Sequence, residues 1–164
     1  MNWIFKDNIN TDLITPGRYN VEDDPKKLAK IAFCEYLPEF SKKVKEGDFI
    51  IAGKNFGCGS SRETAVISLK ACKIKAIFAK SFNRIFYRNC LNHGLLAIEA
   101  NLGKVGKKDK LILDLKNKIL YNKTKKKKIK LKIPDLMIKS YLFGGLLLLL
   151  KKHGFEAIEK GKKV

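Results

Sequence analysis

Gly53-Lys54-Asn55-Phe56-Gly57-Cys58-Gly59-Ser60-Ser61-Arg62-Glu63-Thr64 is the stretch densest in glycine. It follows a short apolar run, Phe49-Ile50-Ile51-Ala52, and precedes a helical pattern carrying Ala65, Ile67, Leu69, Ala71 and Cys72. A glycine turn between a strand and a helix start is an anion cradle: backbone N–H groups point outward, a ligand can approach closely, and the helix dipole favours negative charge. Two nucleotide loops fail here. The Walker A pattern needs Lys after the turn, whereas Lys54 precedes it, and the dinucleotide spacing needs glycine where Arg62 stands. Two hydroxyls and a guanidinium remain, a set suited to a carboxylate.

Outward from the turn, Ala76-Ile77-Phe78-Ala79 reads as a second strand, 84–92 as a helix ending near His93-Gly94, and 95–99 as a third strand. Strand, glycine turn, helix, strand, helix, strand is an α/β pattern. Upstream, the stretch to about Asn20 is rich in turn residues and reads as a loop after a short strand. Asp24 suits an N-cap and Pro25 the first helical position of a helix with Leu28, Ile31 and Ala32 on one face. Downstream, 111–120 and 129–133 read as a β-hairpin around a lysine-rich turn, within a lysine-rich segment of about 104–132. Residues 134–152 read as a C-terminal helix interrupted at Gly144-Gly145. No repeat or linker divides the chain, so 1–164 reads as a single domain.

Of 164 residues, 45% are hydrophobic and 31% charged, enough for an ordinary core. Thirty-five Lys and Arg against 16 Asp and Glu give a net charge of +19, so nucleic acid is the first partner to consider. The densest part, 104–132, holds 13 lysines against Asp109 and Asp114, with Tyr121 as its one aromatic residue. That is poor equipment for base stacking, and a solvated turn explains it better. The four cysteines, Cys34, Cys58, Cys72 and Cys90, follow no zinc spacing, and the N-terminus has no continuous apolar segment of signal type. The longest apolar run, 142–150, is about half of a membrane span. The chain therefore reads as soluble and cytoplasmic, with free buried thiols and no membrane contact. His93 and His153 sit near predicted helix ends, where capping is their simplest role.

The block Asn55–Glu63 resembles the signature of the small-subunit family of 3-isopropylmalate dehydratases, in the aconitase superfamily. Ser81-Phe82-Asn83-Arg84-Ile85-Phe86-Tyr87-Arg88-Asn89-Cys90 resembles that family's second block, and Asp7-Asn8-Ile9-Asn10-Thr11-Asp12 its N-terminal block. Thr15-Pro16-Gly17-Arg18-Tyr19-Asn20 is similar to the short archaeal-type members. The resemblance implies a swivelling β/β/α domain, active only with a separate large subunit that holds a [4Fe–4S] cluster, so no cofactor is expected on this chain. The implied reaction moves a hydroxyl between neighbouring carbons of a di- or tricarboxylic acid, as in 2-isopropylmalate and 3-isopropylmalate, on the route to leucine.

Carried over by position, Ser60 becomes the base that removes the proton α to a carboxylate. A serine hydroxyl is far too weak a base unless its alkoxide is stabilised, here by backbone N–H groups at the helix start beside Arg62. Arg62 grips a substrate carboxylate, with Ser61 and Gly59 beside it, and Asp12 positions substrate or a neighbouring ion pair. Arg18, Tyr19, Asn20 and Val21 lie where the family reads the substrate's variable group. Many members carry His after Ser-Ser-Arg-Glu, where this chain has Thr64, which leaves any proton-transfer role of that histidine open. Homoaconitate and methylmalate/citraconate chemistry stand as alternatives, as does a basic nucleic-acid-binding domain without catalysis. Simpler readings also stand: Ser60 and Ser61 as N-caps, Arg62 paired with Glu63 or Glu99, and Asp12 capping a turn. Arg84 and Arg88 either face solvent or meet acids across a subunit interface. The partnership implied is a heterodimer or heterotetramer.

Overall fold

Two wholly apolar tetrapeptides form the centre of the sheet. In the computed structural model, which describes residues 1–158, strands β2 (Phe49–Ala52) and β3 (Ala76–Ala79) are buried along their whole length. They pair in parallel, flanked by β1 (Asn2–Ile4) and β4 (Ala97–Glu99), in the order β1-β2-β3-β4. Burial on both faces is what parallel central strands require. The connections are helical: α1 (Thr11–Ile14), α2 (Pro25–Ile31) and α3 (Phe40–Lys43) lead into β2, α4 (Glu63–Ala71) joins β2 to β3, and α5 (Arg84–His93) joins β3 to β4. Helix α4 packs against both α2 and α5. The fold is thus mixed α/β around a parallel sheet.

Local chemistry explains the boundaries. Asp24 caps α2 by accepting from Lys26 N, with Pro25 at the first helical position. Asn83 caps α5 by accepting from Ile85 N and Phe86 N, and Gly94 ends that helix in the left-handed conformation. Helix α3 and the single turn α1 were not expected. The opening stretch, read as loop to Asn20, contains α1, which Asn10 caps by accepting from Asp12 N, and a 3-10 turn at Gly17–Tyr19.

The lysine-rich segment also differs from its expected form. It is a three-stranded antiparallel meander of β5 (Leu111–Asp114), β6 (Ile119–Asn122) and β7 (Lys127–Lys130). The predicted strand 111–120 breaks because Asp114 accepts from Asn117 N and Lys118 takes φ 53°. The next turn repeats the device: Asn122 accepts from Lys125 N and Lys126 takes φ 51°. Lys127 and Lys128, expected in the turn, are strand residues. Leu131 and Ile133 return the chain to the core before α6 (Asp135–Phe143) and α7 (Leu146–His153), which are separated at Gly144-Gly145. No helix among the described residues is long and apolar enough to cross a membrane.

The core combines the sheet with an aromatic group in which Phe5 lies 4.5 Å from Phe33, and Phe40 lies 4.7 Å from Trp3 and 4.8 Å from Phe33. Beside it, the buried Asp48 carboxylate accepts from Trp3 Nε1 at 3.0 Å and from Lys45 N at 3.0 Å. Asp48→Ala leaves the indole donor unpaired in the interior, at a cost of about 1–3 kcal/mol. The urea unfolding midpoint is expected to fall accordingly, with part of the loss recovered in the Asp48→Ala/Trp3→Phe double variant, which removes the orphaned donor.

Candidate active site

The glycine turn leaves the carboxyl end of β2 and is laid against the N-terminal segment. Ile9 O accepts from Gly57 N at 2.7 Å, Cys58 O from Thr11 N at 2.8 Å, and Ser60 O from Thr11 Oγ1 at 2.8 Å. This contact demands glycine twice over. Gly57 and Gly59 have φ of 76° and 87°. A Cβ would lie 2.1 Å from Phe86 Cγ in the first case and 2.4 Å from Asn10 Oδ1 in the second.

Ser60 follows directly. Its carbonyl is held from two sides, by Thr11 Oγ1 and by Arg62 N at 2.9 Å. Its exposed hydroxyl has no hydrogen-bond partner among the described residues, and neither has that of Ser61. The two serines stand before α4 without capping it; Arg62 occupies the N-cap position and makes no side-chain cap bond. The Arg62 guanidinium turns instead to Asp12, in an ion pair across 50 residues, and also donates to Thr15 O at 3.4 Å. The Arg62 side chain is 18% exposed and that of Asp12 46%. Asp12 is therefore the acid Arg62 chooses, in place of the Glu63 or Glu99 considered from sequence.

Gly59, Ser60, Arg62 and Asp12 are thus brought together, with Ser61 between the serine and the arginine. Arg18, Tyr19, Asn20 and Val21 form a neighbouring turn, exposed except for the half-buried Tyr19. Gly17 lies against Arg62, since a Cβ there would be 3.2 Å from Nη2, and Thr64 Oγ1 donates to Asn20 Oδ1 at 3.4 Å. Arg18 is directed away: it pairs with Glu35 and lies 4.9 Å from the Tyr19 ring centre. The Tyr19 hydrogen bond, then Glu35, hold its pKa above the usual value. Val21 is 94% exposed.

Sequence reasoning gave no role to Asn10, Thr11, Thr15 or Ser68. Asn10 caps the turn that carries Asp12, Thr11 clamps Ser60, and the buried Thr15 hydroxyl meets Ser68 Oγ at 3.2 Å, fixing the carbonyl that Arg62 uses. The signal available for Asn10 was an Asx residue just before a short helix.

Cys72 and Cys90 are buried, whereas Cys34 and Cys58, also expected to be buried, are half-buried. Among the described residues no three His, Cys, Asp or Glu side chains converge as a metal site. His93 ends α5, 3.7 Å from Glu63, and His153 ends α7 against the Phe143 ring. Backbone groups of Gly94 and Gly154 cap these helices. A surface cavity of about 400 Å³ lies at the far end of α4, lined by Lys70, Lys73, Lys75 and Tyr141, so it is not the serine site. The serines stand on an open surface.

A family model described as the aconitase C-terminal domain matches residues 2–102. The chain is 47% identical to the 3-isopropylmalate dehydratase small subunit 2 of Archaeoglobus fulgidus, covering 93% of each protein. It is 46% identical to the methanogen homoaconitase small subunit of Methanocaldococcus jannaschii, covering 97% of this chain and 94% of that protein. A crystal structure of a 3-isopropylmalate dehydratase from Methanocaldococcus jannaschii superposes with a TM-score of 0.87 at 45% identity, covering 98% of this chain and 96% of that one.

The cysteines offer a test of the burial pattern around this site. Burial pushes the Cys72 thiol up to about 12 and raises Cys90 well above its ordinary value; Cys34 is raised by burial and then by Glu35. At pH 8 a thiol with a pKa of about 12 is thiolate in only about one molecule in 10⁴, and the thiol form is not nucleophilic. Iodoacetamide at pH 8 is expected to label Cys58 in the folded chain and to reach Cys72 and Cys90 only after denaturation, as read by peptide mass spectrometry.

Proposed function

The chain belongs to the aconitase superfamily, among the 3-isopropylmalate dehydratase small subunits, and from that premise we propose that it is one half of a hydro-lyase interconverting 2-isopropylmalate and 3-isopropylmalate in leucine biosynthesis. Its partner is a large subunit in a heterodimer or heterotetramer, and its place is the cytoplasm. The carrying observation is the Ser60 backbone, clamped from two sides beside the Asp12–Arg62 pair while its hydroxyl stays free. Turnover requires a base and an anion grip held rigidly on a surface that a second chain can cover.

In this reading Arg62 holds a substrate carboxylate, Asp12 keeps the guanidinium aimed, and Ser61 supplies a neighbouring donor. The Ser60 oxygen removes the proton α to that carboxylate and returns it on rehydration. The nearby backbone N–H groups and the Arg62 charge stabilise the alkoxide this requires. Among the described residues Cys72 and Cys90 are core residues, and no three His, Cys, Asp or Glu side chains converge. The [4Fe–4S] cluster is assigned in this proposal to the large subunit, where it would supply Lewis acidity toward the departing hydroxyl. Tyr19, Asn20 and Val21 read the variable group, and Arg18, held by Glu35, anchors their turn instead of facing the substrate.

Homoaconitate is the second reading, favoured by the 46% identity to a homoaconitase small subunit. Beyond net charge the structure adds nothing to the nucleic-acid reading: Tyr121 in the meander has Lys123 at 5.4 Å and Lys128 at 6.0 Å from its ring centre, so its ring is already engaged by neighbouring cations.

The test is anaerobic hydration of isopropylmaleate, citraconate, cis-aconitate and cis-homoaconitate by this chain mixed with the large subunit of the same organism. Turnover that needs both chains, with isopropylmaleate preferred, is expected; preference for cis-homoaconitate selects the second reading, and absence of any complex overturns both. Ser60→Ala is expected to lower kcat by about a hundredfold to ten-thousandfold while assembly survives. Asp12→Asn loosens the grip without removing the base, so KM is expected to rise more than kcat falls.

A further inference from the structure

The chain carries 31 lysines but only four arginines, and the arginines are not scattered. Arg18 follows the turn against Arg62, Arg62 precedes α4, and Arg84 and Arg88 stand on the first turns of α5. The start of α5 is fixed beside the glycine turn: Asn83 N donates to Phe56 O at 2.9 Å, Phe56 and Phe82 form a parallel bridge, and Phe86 lies against Gly57. All four therefore cluster where the chain leaves the carboxyl ends of β2 and β3, while lysines occupy every region. Arginine is the cation suited to planar, bidentate pairing with carboxylates.

Two arginines are satisfied within the chain, Arg62 by Asp12 and Arg18 by Glu35. Arg84 and Arg88 are exposed and have no acidic partner among the described residues. Their placement is unfavourable for the isolated chain. They are like charges four residues apart, and they sit at the positive end of a helix whose first turn holds no acid. Ile85 lies beside them on the same helix face and is 48% exposed, whereas Phe86, Asn89 and Cys90 face inward. Two unpaired guanidiniums flanking an exposed aliphatic side chain, beside an open site, describe a docking surface.

We infer that Arg84, Ile85 and Arg88 form the seat for a carboxylate-bearing patch of the large subunit, which relieves the Arg84–Arg88 repulsion and orients that subunit over Ser60. This rests on the proposed half-enzyme reading. The occupant is argued from charge complementarity and from position: the start of α5 packs on the glycine turn that carries Ser60, through Phe86 against Gly57.

The experiment measures the Kd between this chain and its holo large subunit by anaerobic sedimentation, with hydration activity followed against large-subunit concentration. Arg84→Gln/Arg88→Gln is expected to raise Kd about tenfold or more, and excess large subunit is expected to restore the activity lost at low concentration. Lys127→Gln/Lys128→Gln removes the same charge from the meander and is expected to leave Kd within about twofold. Arg88→Lys keeps the charge but loses the planar fork and is expected to fall between wild type and Arg88→Gln. An unchanged Kd in the double arginine variant overturns the inference, as does equal weakening by the lysine pair, which reduces the effect to net charge. An activity loss that excess large subunit does not restore overturns it too, by moving the arginines to the substrate. If the wild-type chains form no complex, the half-enzyme reading fails first and this inference with it.

Discussion

The laying of residues 9–12 across the glycine turn is the constraint on which the rest of the site depends. Three hydrogen bonds, from Gly57 N, Thr11 N and Thr11 Oγ1, and the Asp12–Arg62 pair join segments about fifty residues apart in sequence. Each requirement produces another. The parallel pairing of β1 with β2 brings the two segments side by side. The closeness of the approach excludes any side chain at Gly57 and Gly59. The Asn10 cap sets the direction of Asp12, which in turn takes the guanidinium away from the start of α4. Ser60 consequently has its backbone fixed by neighbours that make no use of its hydroxyl.

What was legible in the sequence is what local chemistry controls. Asp24-Pro25 and Asn83 announce helix starts, the two apolar tetrapeptides announce central strands, and the glycine spacing announces a close backbone approach. The meander was read with too few strands, because lysine hides both turns. Lys118 and Lys126 occupy left-handed positions where glycine or asparagine is the usual signal, and Lys127-Lys128 extend a strand that polar composition disguises. The alternation of apolar residues from 111 to 120 spans a turn that only the Asp114 side chain defines. At the site, the residue types were legible but their pairing was not. Arg62 had several acids within reach of imagination, and only the crossing of the two segments selects Asp12. Thr11 escaped notice because its contribution is a bond to a carbonyl, which no motif records.

Charge is divided in a way that net charge conceals. Lysines, strongly hydrated and tolerant of solvent, occupy the meander edge, where β7 would otherwise offer an unpaired strand to other chains. The scarce arginines stand at one end of the sheet, where pairing geometry matters. A value of +19 therefore overstates the attraction to any polyanion. Much of it is a solvated surface that keeps the sheet edge to itself, and only four of the 35 cations are arginines.

The turn of Gly17–Tyr19 and its continuation to Val21 lie beside Arg62 and are held differently from the core. Its tethers to the rest of the chain are polar: Arg18 to Glu35, Asn20 to Thr64, and the contact of Gly17 with Arg62. Val21, its apolar member, is almost wholly exposed and gains nothing from its own chain. An apolar side chain becomes a pocket wall only when a second surface excludes water from it. In the proposed half-enzyme the turn would fix where the variable part of a substrate lies, and the dryness that rewards an alkyl group there would arise only on assembly. On the proposed function, anion grip and base are held by this chain's own backbone contacts, and discrimination between an apolar and a charged substituent would be a property of the interface that closes over them.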